Sequence, residues 1–238
     1  MPRVVLPFPV LPGKSEDDIR SISDHFKSDP QGYAESRRRA GVTLERAYWQ
    51  HTPMGDFVVA YLEATGSIEQ ALAAPGQSDL AIDKFFVEAI RDIHGVDLTQ
   101  PPPGPPPETI GEWVDSSATG RGRGMAFCAP GIPGTEDRGR AWTRETFASD
   151  GMTRSRRALG QTLEIVTLVE TPQGPVIAVY LEGADPFEAN RRHSASTDPF
   201  EVAFNEELKH LFPPFIDFNQ PVPGIVEIFD SQELLATR

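Results

Sequence analysis

The chain has 238 residues, 23 of them proline and 20 glycine, and carries a formal charge of -13. That excess of acid excludes the basic footprint that nucleic acid or an anionic membrane surface requires, and no run approaches the roughly 18 consecutive apolar residues of a membrane span. A single cysteine, Cys128, cannot form an internal disulfide, which fits a reducing cytoplasm, and no Cys/His cluster has the spacing of a zinc site.

Val4 to Val10 reads as a first strand, because Pro7, Pro9 and Pro12 would break the helix of a secretory leader. Ser15 then precedes Glu16, Asp17 and Asp18, an N-cap followed by acids where the helix dipole favours them. Asp29-Pro30 opens a second helix, with Asp as cap and Pro at the first helical position. It closes at Gly41 after three arginines. Residues 46 to 52 and 57 to 63 are aromatic and β-branched runs around Pro53-Met54-Gly55-Asp56, which predicts a hairpin. Ile82, Phe85, Phe86, Ala89, Ile90 and Ile93 recur at helical spacing. The tract PPPGPPP at 101 to 107 then leads to a last strand, Glu112 to Ser116.

The same order begins again after Ala118 to Gly124. Ser36-Arg37-Arg38, Gly41, Thr43-Leu44-Glu45, Thr52-Pro53 and Tyr61-Leu62-Glu63 recur as Ser155-Arg156-Arg157, Gly160, Thr162-Leu163-Glu164, Thr171-Pro172 and Tyr180-Leu181-Glu182. Taken alone, the proline tract would be an interdomain linker. However, Gln100-Pro101, Pro103 and Gly104 match Gln220-Pro221, Pro223 and Gly224, which places the tract inside each copy. The expected organisation is therefore a first repeat over 1–117, a glycine-rich connector over 118–124 and a second repeat over 125–238. Each repeat reads βαββαβ, which predicts an α+β fold of two ferredoxin-like halves. Packing their open sheet faces on each other would give a single-chain α/β barrel, an intrachain pseudo-dimer. Such a chain can be monomeric, and further association through sheet edges stays open.

The segments Pro9 to Lys14, Ser36 to Gly41, Trp49 to Asp56 and Asp92 to Leu98 carry a family resemblance. The chain resembles the dimeric α/β-barrel superfamily, and its first copy resembles an uncharacterised bacterial family of unknown function within it. Asp92 departs from the glutamate usual there. The resemblance covers nearly all of residues 4 to 116 and, more weakly, 125 to 231. It implies a fold without an established activity, since the superfamily includes cofactor-independent monooxygenases, isomerases, haem proteins and stress-response proteins.

Differences between the copies point to candidate functional residues. If Thr52 pairs with Phe57, then Tyr48, Gln50, Thr52, Phe57, Val59 and Tyr61 share one sheet face. Ala47, Trp49, His51, Val58, Ala60 and Leu62 share the other. Tyr48, Trp49, Gln50 and His51 stand where the second copy has Thr167, Leu168, Val169 and Glu170. Aromatic walls with a few hydrogen-bonding groups suit a small-molecule site; equally, the aromatics suit a drifted core. Tyr61 is kept as Tyr180 and reads as structural, yet it borders the same face. His51 and His94 are the candidate proton carriers, although His94 before Gly95 also suits a helix C-terminus. Arg37 and Arg38 are candidate anion ligands in a helix turn where cations are favoured anyway.

The leading expectation is a pocket in the first repeat that binds a small organic molecule, with no cofactor and no metal. Two alternatives stand beside it. One is a cofactor-independent monooxygenase or isomerase acting on an aromatic or polyketide-like substrate, with His51 or His94 as base. The other is a structural or partner-binding protein with no open pocket.

Overall fold

The structure, a computed structural model, describes residues 1–101 and 104–236, so Pro102 and Pro103 of the proline tract lie outside the described residues. It is α+β, with two four-stranded antiparallel sheets of order β1-β3-β2-β8 and β4-β6-β7-β5. The first compact unit spans residues 1–106 and 226–238, and the second spans 107–225.

In the first unit, β1 (Arg3–Pro9) leads to α1 (Glu16–Ser28) and α2 (Pro30–Ala40). The Asp18 carboxylate accepts from both Ser15 N–H and Ser15 Oγ–H, which fixes the start of α1. Asp29 Oδ1 accepts from Gly32 N–H at 2.9 Å and so caps α2, which ends at Gly41 with φ +70°, a left-handed position that favours glycine. A hairpin of β2 (Val42–Thr52) and β3 (Gly55–Ala64) follows, then α3 (Ile68–Ala73) and α4 (Ala81–His94).

Thr52 pairs with Gly55 and Gln50 with Phe57, so the Thr52–Phe57 pairing expected from the sequence is two residues out of register. A two-residue turn at Pro53-Met54 closes the hairpin tighter than the turn run suggested. Because the shift is even, the assignment of side chains to the two faces survives it. Helices α1 and α4 cover the face that carries Ala47, Trp49, Val58 and Ala60; there Ile19, Ile22, Phe26, Ile90 and Ile93 form the core with Trp49 and Val58. Residues of the opposite face, including Val5, Tyr48, Val59 and Tyr61, are buried as well.

The second unit repeats the plan with β5 (Arg123–Pro130), α5 (Glu136–Phe147), α6 (Asp150–Ala158), β6 (Gln161–Thr171), β7 (Gly174–Gly183), α7 (Pro186–Ser194) and α8 (Pro199–Leu211). The expected connector 118–124 is shorter than read, because β5 already begins at Arg123.

The last strands depart from the expected boundaries. β4 (Glu108–Val114) pairs with β6, and β8 (Ile225–Asp230) lies beside β2, so each repeat gives its final strand to the unit built from the other. Side chains explain the exchange. Trp113 on β4 packs with Phe147 and Met152 and donates through Nε1 to Thr153 Oγ1 at 3.1 Å. At the end of β8, Arg46 Nε donates to Asp230 Oδ2 at 2.8 Å; just beyond it, Glu45 N–H donates to Ser231 Oγ at 3.0 Å, and α9 (Ser231–Ala236) continues the chain. The compact units are thus 1–106 with 226–238, and 107–225, rather than 1–117 and 125–238.

Candidate functional site

Helices α1 and α4 run antiparallel across the sheet of the first unit. Phe26 meets Phe86 at 5.7 Å between ring centroids, and Lys14 pairs with Asp92 at 2.5 Å near the other end. Beneath them, Ala47 on β2 stands directly opposite Ala60 on β3. In the second unit the same cross-strand pair is Val166 opposite Val179, and both valines pack in that unit's core. Two alanines remove four side-chain carbons from the helix-facing surface. Over them lies a cavity of about 120 Å³ lined by Leu6, Phe8, Phe26, Ala47, Ala60 and Phe229, among other apolar groups.

The polar part of the wall comes from Ser23, Arg37, Glu45 and His94. Arg37 is locked in place: Nε donates to Glu45 Oε2 at 2.6 Å and Nη1 donates to Ser36 Oγ at 2.8 Å. Its guanidinium lies 4.8 Å from the ring centroid of Tyr33 and 5.2 Å from those of Phe26 and Phe86. Tyr33 Oη donates to Glu45 Oε2 at 3.0 Å; burial first, and then the Glu45 charge, push the phenol well above its ordinary pKa. Ser36 Oγ passes the network on to Asp83 Oδ1 at 2.5 Å. The second unit builds the same cluster from Arg156, Glu164, Ser155 and Glu201, with Arg156 Nε donating to Glu164 Oε2 at 2.5 Å. There His193 Nδ1 lies 2.5 Å from Glu201 Oε2.

His94 is the last residue of α4 before Gly95, whose φ of +70° turns the chain away. Its Nδ1 lies 2.9 Å from the Pro9 carbonyl oxygen, which can only accept, so Nδ1 carries the proton. In the neutral ring Nε2 is then a lone pair, and no described residue donates to it. Burial lowers the pKa of His94, against the opposing hydrogen bond to Pro9, so the neutral ring is favoured.

Arg37 and His94 are therefore the sequence candidates that reach the cavity. Trp49 faces the helices but packs in the core outside the cavity wall. His51 lies at the exposed end of the hairpin, with Nδ1 2.6 Å from Asp56 Oδ1, and is out of reach of the cavity. Arg38 is exposed and paired with Glu35 at 2.8 Å. Tyr48, Gln50 and Tyr61 sit on the opposite face of the sheet, where Tyr61 Oη donates to Glu63 Oε1 at 2.5 Å and Arg3 Nε donates to the same oxygen at 3.0 Å. The aromatic contrast at 48 to 51 thus splits across two faces, as strand alternation requires.

Sequence reasoning missed Ser23, Glu45 and the alanine pair. Glu45 was hidden because both copies keep it. The alanines were legible, since Ala47/Ala60 against Val166/Val179 is a loss of volume at one cross-strand position. Among the described residues, no group of three or more His, Cys, Asp or Glu side chains could hold a metal ion. No described helix is long and apolar enough to cross a membrane.

No protein-family model matches the chain, and no curated protein matches it in sequence. Among solved structures it is similar to a provisionally assigned monooxygenase from Fusobacterium nucleatum subsp. nucleatum, at 10% identity and a TM-score of 0.48, over 94% of this chain and 88% of that one. It is also similar to an anthrone oxidase-like protein, at 7% identity and a TM-score of 0.48, over 95% of this chain and 92% of that one.

Proposed function

We propose that the first unit binds a small, largely apolar organic molecule, the size of a single ring, between α1, α4 and the sheet. The observation that carries this reading is the cavity of about 120 Å³ over Ala47 and Ala60, where the second copy has valines. An apolar cavity of about 150 Å³ holds benzene, so about 120 Å³ limits the ligand to a single ring at most. Native mass spectrometry of the purified protein tests the reading. An added small-molecule mass is expected on the wild type and not on the Ala47→Val/Ala60→Val variant; the same added mass on both would contradict it.

A second reading is favoured by His94. A neutral imidazole whose Nδ1–H is tied to Pro9 presents Nε2 as a proton acceptor, which is what a cofactor-independent isomerase or oxygenase acting on an aromatic substrate needs. In D2O such a base would exchange an acidic C–H of the bound ligand, visible by NMR. The exchange is expected to disappear in His94→Gln while the ligand stays bound. Exchange at the wild-type rate in that variant would remove His94 as the base.

A further inference from the structure

The cavity wall contains a hydroxyl without a hydrogen-bond partner among the described residues. Ser23 is in the middle of α1, is 3% exposed and lines the cavity, yet its Oγ makes no hydrogen bond with any described residue. The neighbouring serines behave otherwise. Ser21 Oγ donates to Asp18 O at 2.6 Å and Ser28 Oγ to His25 O at 2.7 Å, each bonding back three residues along the same helix. A desolvated hydroxyl with nothing to bond costs free energy, and alanine would serve the helix better at this position.

His94 supplies a second open group on the same wall. With Phe26 level with Phe86, Ser23 stands about 4.5 Å along α1 from that level and His94 about 12 Å along α4 in the same direction, so the two groups serve different parts of the wall. The charged groups of the wall are, by contrast, already engaged. Arg37 is held by Glu45 and Ser36, and Glu45 accepts from Arg37 and Tyr33, so among the described wall residues a charged ligand finds no free counter-charge. A ligand hydroxyl offers what the open Ser23 hydroxyl lacks, since each can donate to or accept from the other.

We infer that Ser23 is a specificity-determining residue of this cavity and that the ligand is a neutral single-ring compound carrying a hydroxyl group. This rests on the reading that the cavity binds a small molecule. The test is titration calorimetry with phenol, toluene and benzoate against the wild type, Ser23→Ala and Ser23→Thr. An all-apolar cavity rejects phenol, because the phenol gives up its hydrogen bonds to water for nothing. Here phenol is expected to bind the wild type at least as tightly as toluene, with benzoate excluded.

Ser23→Ala should weaken phenol about tenfold, as loss of one buried hydrogen bond does, and leave toluene within about twofold. Ser23→Thr, which keeps the hydroxyl, should retain the preference. The readout is the phenol-to-toluene ratio, which a mere change of cavity shape does not move selectively. Toluene binding without phenol in the wild type, a ratio unchanged in Ser23→Ala, a preference lost in Ser23→Thr, or benzoate binding as well as phenol would each overturn the inference while leaving the pocket reading intact. Binding of none of the probes would overturn the pocket reading and this inference with it.

Discussion

Arg37 shows how one side chain can hold three elements together. It joins α2 to β2 through Glu45, reaches α4 through Ser36 and Asp83, and lies against the rings of Phe26, Tyr33 and Phe86. Removing one member of a buried ion pair leaves the other uncompensated, which costs about 3–5 kcal/mol. Arg37→Met and Arg156→Met are each expected to lower stability by about that amount in urea unfolding, whereas Arg38→Met, at an exposed pair, should change it by less than about 1 kcal/mol. The two arginines look alike in sequence. The Ser-Arg-Arg and Thr-Leu-Glu motifs are legible as things both copies keep, but their meeting is not, because the contact folds back across the turn at Gly41. His94 carries a pH prediction. Burial sets its folded pKa below the ordinary value, so the unfolded chain takes up this proton first as pH falls. Its contribution to stability is complete above about pH 6.5 and is lost as pH drops from there through the folded value. Imidazole NMR should find His94 titrating below 6.5 with the proton on Nδ1. A second loss belongs to Glu201: burial opposes its ionisation, but His193 and the Arg156 charge outweigh burial and hold it at about 2, so that loss begins only below pH 4.5.

At the level of elements, strand parity proved more robust than strand register. The expected hairpin pairing was out by two residues, yet Ala47 and Trp49 still fall on the helix side, because only an odd slip exchanges faces. What the sequence could not disclose was which face the helices take, since both faces of β2 and β3 carry buried residues. Close packing of β4 on α5 yields a sharper test. A Cβ at Gly111 would stand 2.4 Å from Thr143 Cγ2 and 3.0 Å from Phe147, whereas one at Gly139, in α5 itself, would meet only Leu211 at 4.0 Å. Gly111→Ala is expected to destabilise by about 1–3 kcal/mol through overpacking. Gly139→Ala should stabilise by about 0.5–1 kcal/mol, because alanine replaces glycine inside a helix without a clash. Thermal unfolding of the two variants checks both signs.

For the whole chain, the exchange of last strands separates the repeat in sequence from the unit in space. The duplication, the βαββαβ order and the place of the proline tract inside each copy follow from matched residues. The exchange does not, because β4 and β8 fit a repeat pattern equally well in either sheet, and only partners such as Thr153 for Trp113 and Asp230 for Arg46 decide between them. A chain divided between Gly120 and Arg121 should therefore give two fragments that each lack the fourth strand of a sheet. Circular dichroism is expected to show neither folded alone and both folded when mixed; independent folding of either fragment would argue against the exchange. The proposed function rests on the cavity, which lies over Ala47 and Ala60 where the second copy has Val166 and Val179. Calorimetric titration of toluene into the wild type and into Ala47→Val/Ala60→Val tests this most directly. Saturable binding to the wild type and its loss in the double variant are expected; no binding to the wild type, or equal binding to both, would contradict the account.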